Sequence, residues 1–457
     1  MLYTRWDYID RFNGHFFSLW SANQDGTNPQ LVYGNYTVKP QVKFEARSIP
    51  GSSKLVITAG AHHSITGGSL CLLDREHGTE ESSPVKRLTP EVCFPETEGW
   101  PEHYYANPWP LSEEFFLVGW SDRRFPPHCR VENNEQNPTN AMGIYLYDAF
   151  GNLELLYRDP EISSGYPIPV KARPQPPVQT KLAQWKGEQT GAFLLQDVYR
   201  GLTGVARGSV KSLRVVAVPP KVQPHMNNPM LGVSAEDPGK YVLGTVPVEP
   251  DGSAHFRVPS GVPVLFQALD EQGVSVQTMR SLTYVMPGQT LACVGCHEHR
   301  DAAPATAAPA MAASRDPSKL TPGPDGSWPL RFDRLVQPVL DRQCISCHRH
   351  DSADALAAKL DLSATNAWQA LMKFGGDDLK KRAFERDRSL PGDGTAANSK
   401  LWQLLAAGHH GVPLNADDRA RLLTWMDTYA QRSGHYSSEQ EQHLLEFRAR
   451  LANQLSP

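Results

Sequence analysis

The chain has 457 residues, of which 40% are apolar and 21% charged, and its formal net charge is −4 at pH 7. These values are typical of a globular protein with about two to four domains, and the net charge gives no indication of nucleic-acid binding. No apolar run approaches the ~18 residues that a membrane helix needs, so we expect no membrane span.

Residues 1–165 have the pattern of repeated β-hairpins. Phe17–Trp20 leads through an Asp-Gly turn into Leu31–Tyr33, and Ile144–Asp148 leads through a Gly-Asn turn into Leu153–Tyr157. Short β-rich runs joined by such turns are typical of hairpins, and their recurrence suggests propeller blades. About three blades can be counted, whereas closed propellers have about 4–8. We therefore predict a partial β-propeller and expect that the chain lacks its true beginning.

Residues 166–301 predict a second β domain, which begins at a Pro-rich crossing. Apolar and polar residues alternate in Ala254–Val258, Val262–Phe266 and Val274–Gln277, which is the pattern of half-buried strands. We predict a small antiparallel sandwich here. Residues 302–328 are rich in Ala and Pro and predict a semi-extended linker.

Residues 329–457 have a helical pattern. An apolar stripe runs through Leu335, Val336, Val339 and Leu340, and Asn415 is a plausible N-cap of a later amphipathic helix. The fold class predicted from these patterns is multidomain: an all-β N-terminal part, made of a partial propeller and a sandwich-like domain, is followed by an all-α domain.

Two C-x-x-C-H motifs carry the chemistry. This spacing is typical of c-type haem attachment, in which two thiols bind the porphyrin and the following histidine binds the iron. A zinc ribbon fits poorly, because 47 residues separate the two cysteine pairs against about 15–20 in a ribbon. We therefore predict two covalently bound haems, with a zinc site or a disulfide as the alternative. The residues are Cys293, Cys296 and His297 in the first motif and Cys344, Cys347 and His348 in the second.

The second haem has candidate ligands on both sides. His348 is the expected proximal ligand. A small cytochrome c commonly places its distal ligand just before its last helix, often as Met-Pro, but this chain has Val412-Pro413 there. The nearby His409 or His410 is therefore the expected distal ligand. Such a bis-histidine site has a lower potential than a Met/His site. A solvent-facing histidine pair is the alternative. The motif and the terminal helix together predict that residues 329–457 are a cytochrome c-like domain.

The first haem has His297 as its expected proximal ligand and no clear distal ligand. Glu298 is a candidate proton donor, although it is equally consistent with a solvated acid. His62 and His63 could reach the haem from a Gly/Ser-rich loop, but surface histidines are the default interpretation. An open iron position would make this the place for chemistry.

Three cysteines remain outside the motifs. Cys71, Cys93 and Cys129 are consistent with a buried thiol plus one disulfide, or with part of a metal site. A zinc site built from Cys93, His103, His128 and Cys129 is possible but less expected.

Several stretches resemble the hydrazine synthase alpha-subunit family. They are Leu2–Tyr8, Val246–Ser253, Met279–Leu282 and Val336–Asp341. The resemblance implies a periplasmic protein that combines a propeller, a β domain with one haem and a C-terminal cytochrome c domain with a second. Apart from this resemblance, we expect a redox partner protein, and a further class of function is an interaction scaffold whose partial propeller docks another subunit. The N-terminal residues include no secretory leader, which a truncated beginning would explain.

The chain departs from the family at one position. In the synthase a tyrosine four residues after the motif histidine holds the catalytic haem, and that histidine helps to bind zinc. Here the position is Asp301, so His297 is the better proximal ligand and hydrazine synthesis is not expected. We predict a dihaem c-type cytochrome that transfers electrons in the periplasm. The alternative is a haem-dependent oxidoreductase with a catalytic first haem and a relaying second haem, so whether the chain is an enzyme stays open.

Overall fold

The computed structural model describes residues 1–7, 17–63, 65–123, 138–224, 228–233, 237–296, 309–384 and 389–455. The chain divides into two compact units. The described residues of the first unit run from Met1 to Lys181, and those of the second from Leu182 onward.

Eleven strands are described in the first unit. They are β1 Leu2–Trp6, β2 Phe17–Ser21, β3 Gln30–Tyr33, β4 Val42–Ser48, β5 Leu55–Gly60, β6 Ser69–Leu73, β7 Val85–Arg87, β8 Tyr104–Pro110, β9 Phe115–Ser121, β10 Gly143–Asp148 and β11 Leu153–Tyr157. One sheet has the order β1-β2-β4-β5-β6-β7 with β3 paired to β2, and the other has β11-β10-β9-β8.

Repeated antiparallel meanders make up most of these sheets. Strands β4 to β7 form one four-stranded meander and β8 to β11 form another, which is the form of propeller blades. The predicted β10–β11 hairpin is present, since the Asp148 carboxylate accepts hydrogen bonds from the backbone N–H groups of Phe150 and Asn152, both at 3.0 Å. The partial propeller predicted from the sequence is confirmed.

Seven strands of the second unit form two sheets in its described residues. They are β12 Thr190–Leu195, β13 Ser212–Ala217, β14 Tyr241–Pro247, β15 Ala254–Pro259, β16 Val264–Leu269, β17 Ser275–Thr278 and β18 Thr290–Cys293. The sheet orders are β15-β12-β18 and β14-β13-β16-β17. Phe193, Phe256 and Phe266 pack between the sheets with ring centroids 5.1–5.8 Å apart. The predicted sandwich is therefore present.

One strand pair differs from the expected antiparallel pattern. Strand β18, which carries Cys293, lies parallel to β12, with Cys293 opposite Leu195. Five strands come between β12 and β18 in the chain, so a long crossover connects the two instead of a hairpin. The expectation of a purely antiparallel sandwich is wrong at this edge.

Helices dominate the C-terminal part of the second unit. They are α1 Phe332–Leu335, α2 Gln337–Gln343, α3 Ala367–Phe384, α4 Thr395–Asn398, α5 Lys400–Ala406, α6 Ala416–Asp427 and α7 Ser438–Leu455. The predicted N-cap of α6 is confirmed, since the Asn415 side chain accepts a hydrogen bond from the Asp418 N–H at 2.8 Å. None of the helices in the described residues is long and apolar enough to cross a membrane.

The helices share their hydrophobic cores with the sheets. Val216 of β13 and Leu265 of β16 belong to the same buried cluster as Trp425 of α6. Leu444 and Leu451 of α7 belong to the cluster inside the sandwich. The C-terminal helices are thus built directly onto the β domain.

Part of the Ala/Pro-rich segment is anchored to the β domain. In its described residues, 309–328, the Ser318 N–H donates to the carbonyl of His255 at 2.8 Å, and Leu320 is 1% exposed. The Trp328 indole donates to the Leu444 carbonyl at 3.1 Å. Backbone hydrogen bonds and a few buried apolar side chains hold residues 309–328 against the rest of the second unit. This part of the predicted linker is therefore packed on the domain.

A buried charged pair lies where the sheet meets the helices. Arg214 of β13 is 4% exposed and Asp427 of α6 is 1% exposed, and their Nη1 and Oδ2 atoms are 3.9 Å apart. The Asp427 carboxylate also accepts hydrogen bonds from the N–H groups of Ser275 at 3.0 Å and Ala396 at 2.9 Å. Gln267 bridges the pair, accepting from Arg214 and donating to the Asp427 carbonyl. This network joins β13, β16, β17, α4 and α6.

Candidate functional site

The second motif begins at the C-terminal end of α2. The backbone continues as a tight turn in which the N–H groups of Cys347 and His348 both donate to the carbonyl of Cys344, at 3.1 and 2.9 Å. Cys344 is half-buried, Cys347 is exposed, and both are free thiols. The motif thus presents two thiols and an imidazole from one short turn.

Helix α6 fixes the end of α2. The buried Asp418 carboxylate accepts hydrogen bonds from Arg342 Nη2 at 2.6 Å and from Gln343 Nε2 at 3.1 Å, immediately before the first cysteine. Burial raises the pKa of Cys344 to about 11, and the negative charges of Asp418 and Cys347 add to the shift. Cys344 is therefore a protonated thiol at neutral pH.

A backbone carbonyl orients the His348 ring. His348 Nδ1 lies 3.3 Å from the Ala357 carbonyl oxygen, which can act as an acceptor alone, so Nδ1 carries the proton. Nε2 is then the ring atom left with a lone pair for a metal ion. Metal-binding histidines commonly have their other ring nitrogen fixed in this way.

His409 lies opposite His348. The ring centroids are 5.9 Å apart and the ring planes differ by 28°. Metal–imidazole bonds of about 2 Å place two ring centroids about 6 Å apart when one ion lies between them. The pair therefore has the separation of two axial ligands. Burial lowers the pKa of His409, with the nearby His410 and His348 imidazoles adding to the effect, which favours the neutral, ligating form.

His410 occupies a different position from its neighbour. Its ring meets the His409 ring edge-on, at 4.5 Å between centroids, and the residue is exposed. The turn follows Gly408, whose φ of +89° is left-handed, and glycine adopts this conformation without strain. The geometry therefore favours His409 over His410 as the partner of His348.

Apolar side chains around these histidines remain uncovered. Leu356, next to the carbonyl that binds His348, is 76% exposed, and Leu404, five residues before His409, is 38% exposed. Leu360, Leu405 and Leu414 are partly buried against the helical core. A flat apolar group such as a porphyrin would cover surface of this kind, so the residues fit a haem.

The first motif lies at the edge of the sandwich. The Cys293 carbonyl accepts a hydrogen bond from the Gln196 N–H at 2.9 Å, and the Val294 carbonyl accepts one from Asp197 at 3.2 Å. Cys293 and Cys296 both pack against the sandwich core. His297 and Glu298 lie outside the described residues, so their predicted roles stay predictions.

His255 is a polar residue near the first motif that sequence reasoning did not single out. Both of its ring nitrogens are buried and have no hydrogen-bond partner in the described part of the chain. Leu194 of β12 pairs with His255 on one side and with Ala292 on the other, so the three side chains share one face of the sheet. The available signal was a histidine within the alternating pattern of β15.

Two of the remaining cysteines are described, and both belong to the first unit. Cys71 is buried in β6, where burial raises its pKa to about 12, and Cys93 is half-buried; both are free thiols. Of the remaining zinc candidates, His103 lies 3.9 Å from Glu91, whereas His128 and Cys129 lie outside the described residues. The predicted zinc site therefore stays a prediction.

Comparisons with known proteins bear on the whole chain. Residues 208–298 match the family model described as the hydrazine synthase alpha subunit middle domain. The chain is 21% identical to hydrazine synthase subunit alpha of Kuenenia stuttgartiensis over 538 aligned positions, which cover 90% of this chain and 62% of that protein. The solved structure of Kuenenia stuttgartiensis hydrazine synthase superposes with a TM-score of 0.68 at 18% identity, covering 95% of this chain and 68% of the other.

The chain therefore spans less than two thirds of the length of the curated relative. Of its own length, 95% superposes on the solved hydrazine synthase structure. The resemblance predicted from the sequence is confirmed: this chain has the fold of the hydrazine synthase alpha subunit and carries the middle domain of that family at residues 208–298.

Proposed function

We propose that this chain is a dihaem c-type cytochrome, related to the hydrazine synthase alpha subunit, that transfers electrons to or from a partner protein in the periplasm. The observation that carries the proposal is the opposed pair of His348 and His409 beside the thiols of Cys344 and Cys347. The fit of this donor set to a covalently bound, six-coordinate haem supports a carrier of electrons.

Each residue of the second site has a separate task. Cys344 and Cys347 would attach a porphyrin through thioether bonds, and His348 and His409 would hold its iron. When bound, a bis-histidine haem supplies one-electron transfer at a lower potential than a Met/His haem. With both histidines bound to it, the iron would be suited to electron transfer and not to binding a substrate.

Asp354 positions the proximal histidine. Its carboxylate accepts hydrogen bonds from the N–H groups of Leu356 at 2.7 Å and Ala357 at 3.2 Å, and these bonds lower the pKa of Asp354. They fix the turn whose Ala357 carbonyl holds the His348 Nδ1–H. Asp354 therefore acts on the haem through the orientation of His348.

The surface around the second motif suits an encounter with a redox partner. Cys347 is exposed, and Leu356 and Leu404 leave apolar surface beside the site. An attached haem would therefore keep an edge near solvent, where a partner protein can approach it. Other subunits docked on the propeller belong to the same proposal, because the relative is a subunit of hydrazine synthase.

A second candidate function rests on His255. Its two buried ring nitrogens have no described partner, and Leu194 of β12 lies between His255 and Ala292, the residue before Cys293. In this candidate function the chain is an oxidoreductase whose first haem is catalytic and whose second haem relays electrons. Binding of cyanide or CO to the first haem, with an affinity that His255→Ala changes, would favour this candidate. If neither ligand changes the absorption spectrum of either haem, the result favours the electron carrier.

The attachment experiment tests both candidates. The chain is exported from a host that matures c-type cytochromes, and covalent haem is counted by mass spectrometry of the denatured protein. We expect two haems, and one haem after Cys344→Ser/Cys347→Ser. Cys93→Ser is the matched control and should keep two haems. A wild-type chain without covalent haem would overturn the proposal.

A further inference from the structure

Two adjacent histidines meet a glutamate in the first unit. His62 and His63 follow strand β5, and Glu96 lies in the turn that follows β7. One ring nitrogen of each histidine and one carboxylate oxygen of Glu96 all lie within 4.8 Å of one another. The closest pair is His63 Nδ1 and Glu96 Oε1, at 2.5 Å, and the other Glu96 oxygen accepts the His63 backbone N–H at 3.1 Å.

An aromatic wall holds the His62 ring in place. The ring lies edge-on to Trp6 at 4.7 Å and tilted against Phe17 at 5.5 Å, and these two rings stack on each other at 4.7 Å. The His63 ring is 4.1 Å away on another side. The His62 backbone N–H donates to Gln41 at 3.3 Å. The ring therefore needs little ordering before it can bind a ligand.

The turn that carries Glu96 is also fixed. The Glu96 N–H donates to the Gly99 carbonyl at 2.7 Å, and the Glu98 carboxylate accepts hydrogen bonds from the Phe94 N–H at 2.9 Å and from Arg87 at 2.6 Å. Glu96 itself has a left-handed φ of +67°, which is costly for a residue with a side chain. The turn keeps a glutamate where glycine would be less strained, which points to a use for the carboxylate.

We propose that His62, His63 and Glu96 bind one divalent first-row transition-metal ion of the zinc class. Two neutral imidazoles and one carboxylate form a donor set that such ions prefer, and they leave an open position for water. All three residues are partly exposed, so an ion can enter from solvent.

Binding requires small movements of the side chains. Ligand atoms around a tetrahedral zinc ion lie about 3.3 Å apart, as follows from metal–nitrogen bonds of about 2.0–2.1 Å. The His63–Glu96 contact must therefore lengthen, while the more distant ligand atoms must converge from at most 4.8 Å. Rotation about the side-chain bonds can supply both changes, because the two backbone segments are already fixed.

An ion pair between His63 and Glu96 is the simpler explanation of their contact. The two explanations differ in the role of His62, which an ion pair does not need. His77 provides a matched control. Its ring lies 3.9 Å from the Asp74 carboxylate in the same unit, but among the described residues this pair is not part of a group of three possible metal ligands.

The test is a zinc titration of the full-length protein with its haems attached, after chelator treatment and alkylation of the remaining thiols. Calorimetry gives the affinity, and metal analysis after dialysis gives the stoichiometry. We expect one zinc ion per wild-type chain, with affinity weakened at least about tenfold by His62→Ala and by Glu96→Gln. His77→Ala should bind zinc as the wild type does.

Two outcomes would overturn the proposal. If His62→Ala binds zinc as tightly as the wild type, His63 and Glu96 form an ion pair and no three-ligand site exists. If the wild type takes up no zinc, the site is absent. Should Glu96→Gln fail to fold, His62→Ala alone decides the matter, with its haem content and circular dichroism as folding controls. A chain without haems can be titrated in the same way, so this proposal stands or falls separately from the proposed function.

Discussion

Replacing Asp427 by alanine should strongly destabilise the second unit. The substitution removes the carboxylate that accepts hydrogen bonds from the Ser275 and Ala396 N–H groups, both of which are buried with it. It also leaves the buried Arg214 guanidinium without its counter-charge. The loss therefore affects the sheet, α4 and α6 together.

The magnitude follows from the two effects. Breaking a buried ion pair by removing one partner costs about 3–5 kcal/mol, and each buried N–H left without an acceptor costs about 1–3 kcal/mol. These costs overlap, because relaxation at one group relieves the others. We expect the free energy of unfolding to fall by about 4 kcal/mol or more.

Urea unfolding followed by circular dichroism measures this loss. At a slope of about 3 kcal/mol per molar urea, the midpoint should fall by about 1 M or more. The matched control is Asp417→Ala on the same helix, where a 57% exposed carboxylate pairs with Arg421 one turn away and is worth about 0.3–0.5 kcal/mol. If both variants unfold at the same urea concentration, the buried network does not stabilise the junction of sheet and helices and the reasoning is refuted.

Three further predictions concern single groups. His409→Ala should make the second haem high-spin, whereas His410→Ala should leave its absorption spectrum unchanged; the reverse result would exchange the roles of these residues. Asp354→Ala should keep both haems attached but weaken the hydrogen bond to His348, which is worth about 1 kcal/mol. A redox titration should then show a shift of about 40 mV in the midpoint potential of the second haem. Burial raises the pKa of Asp427 to about 6 from 3.8, so this carboxyl binds more protons in the folded state than in the unfolded state between these values, and its contribution to stability should fall as pH rises through this window. Between pH 4 and 7 the stability of the wild type should therefore decline relative to that of Asp427→Asn, and a constant difference between the two proteins would contradict the assignment.

Local features of the fold and site were predictable from the sequence. The C-x-x-C-H motifs depend on spacing alone, and the Asn415 cap depends on residues one turn away. The choice between His409 and His410 was not predictable, because the two residues are adjacent in a turn with left-handed backbone at Gly408 and His410, and only the folded turn shows that the His409 ring lies near His348.

Long-range pairings escaped the sequence analysis. Strand β18 is four residues long, and its parallel partner β12 lies about a hundred residues earlier, so no turn signal marks the pair. Glu96 meets His63 across 33 residues and lies in a turn, where acidic residues are usually solvated. Arg214 is a single charge within an apolar strand, and its partner Asp427 could not be recognised before the sheet and α6 were placed together.

The shared cores of sheet and helices limit how this molecule can be taken apart. Removal of residues 329–457 would expose the apolar side chains of Val216 and Leu265 on the remaining β domain. It would also expose Leu444 and Leu451 on the excised helices. Grafting the helices elsewhere would require a new apolar platform of matching shape. Change in the helical segment is thereby tied to change in the sandwich on which it packs.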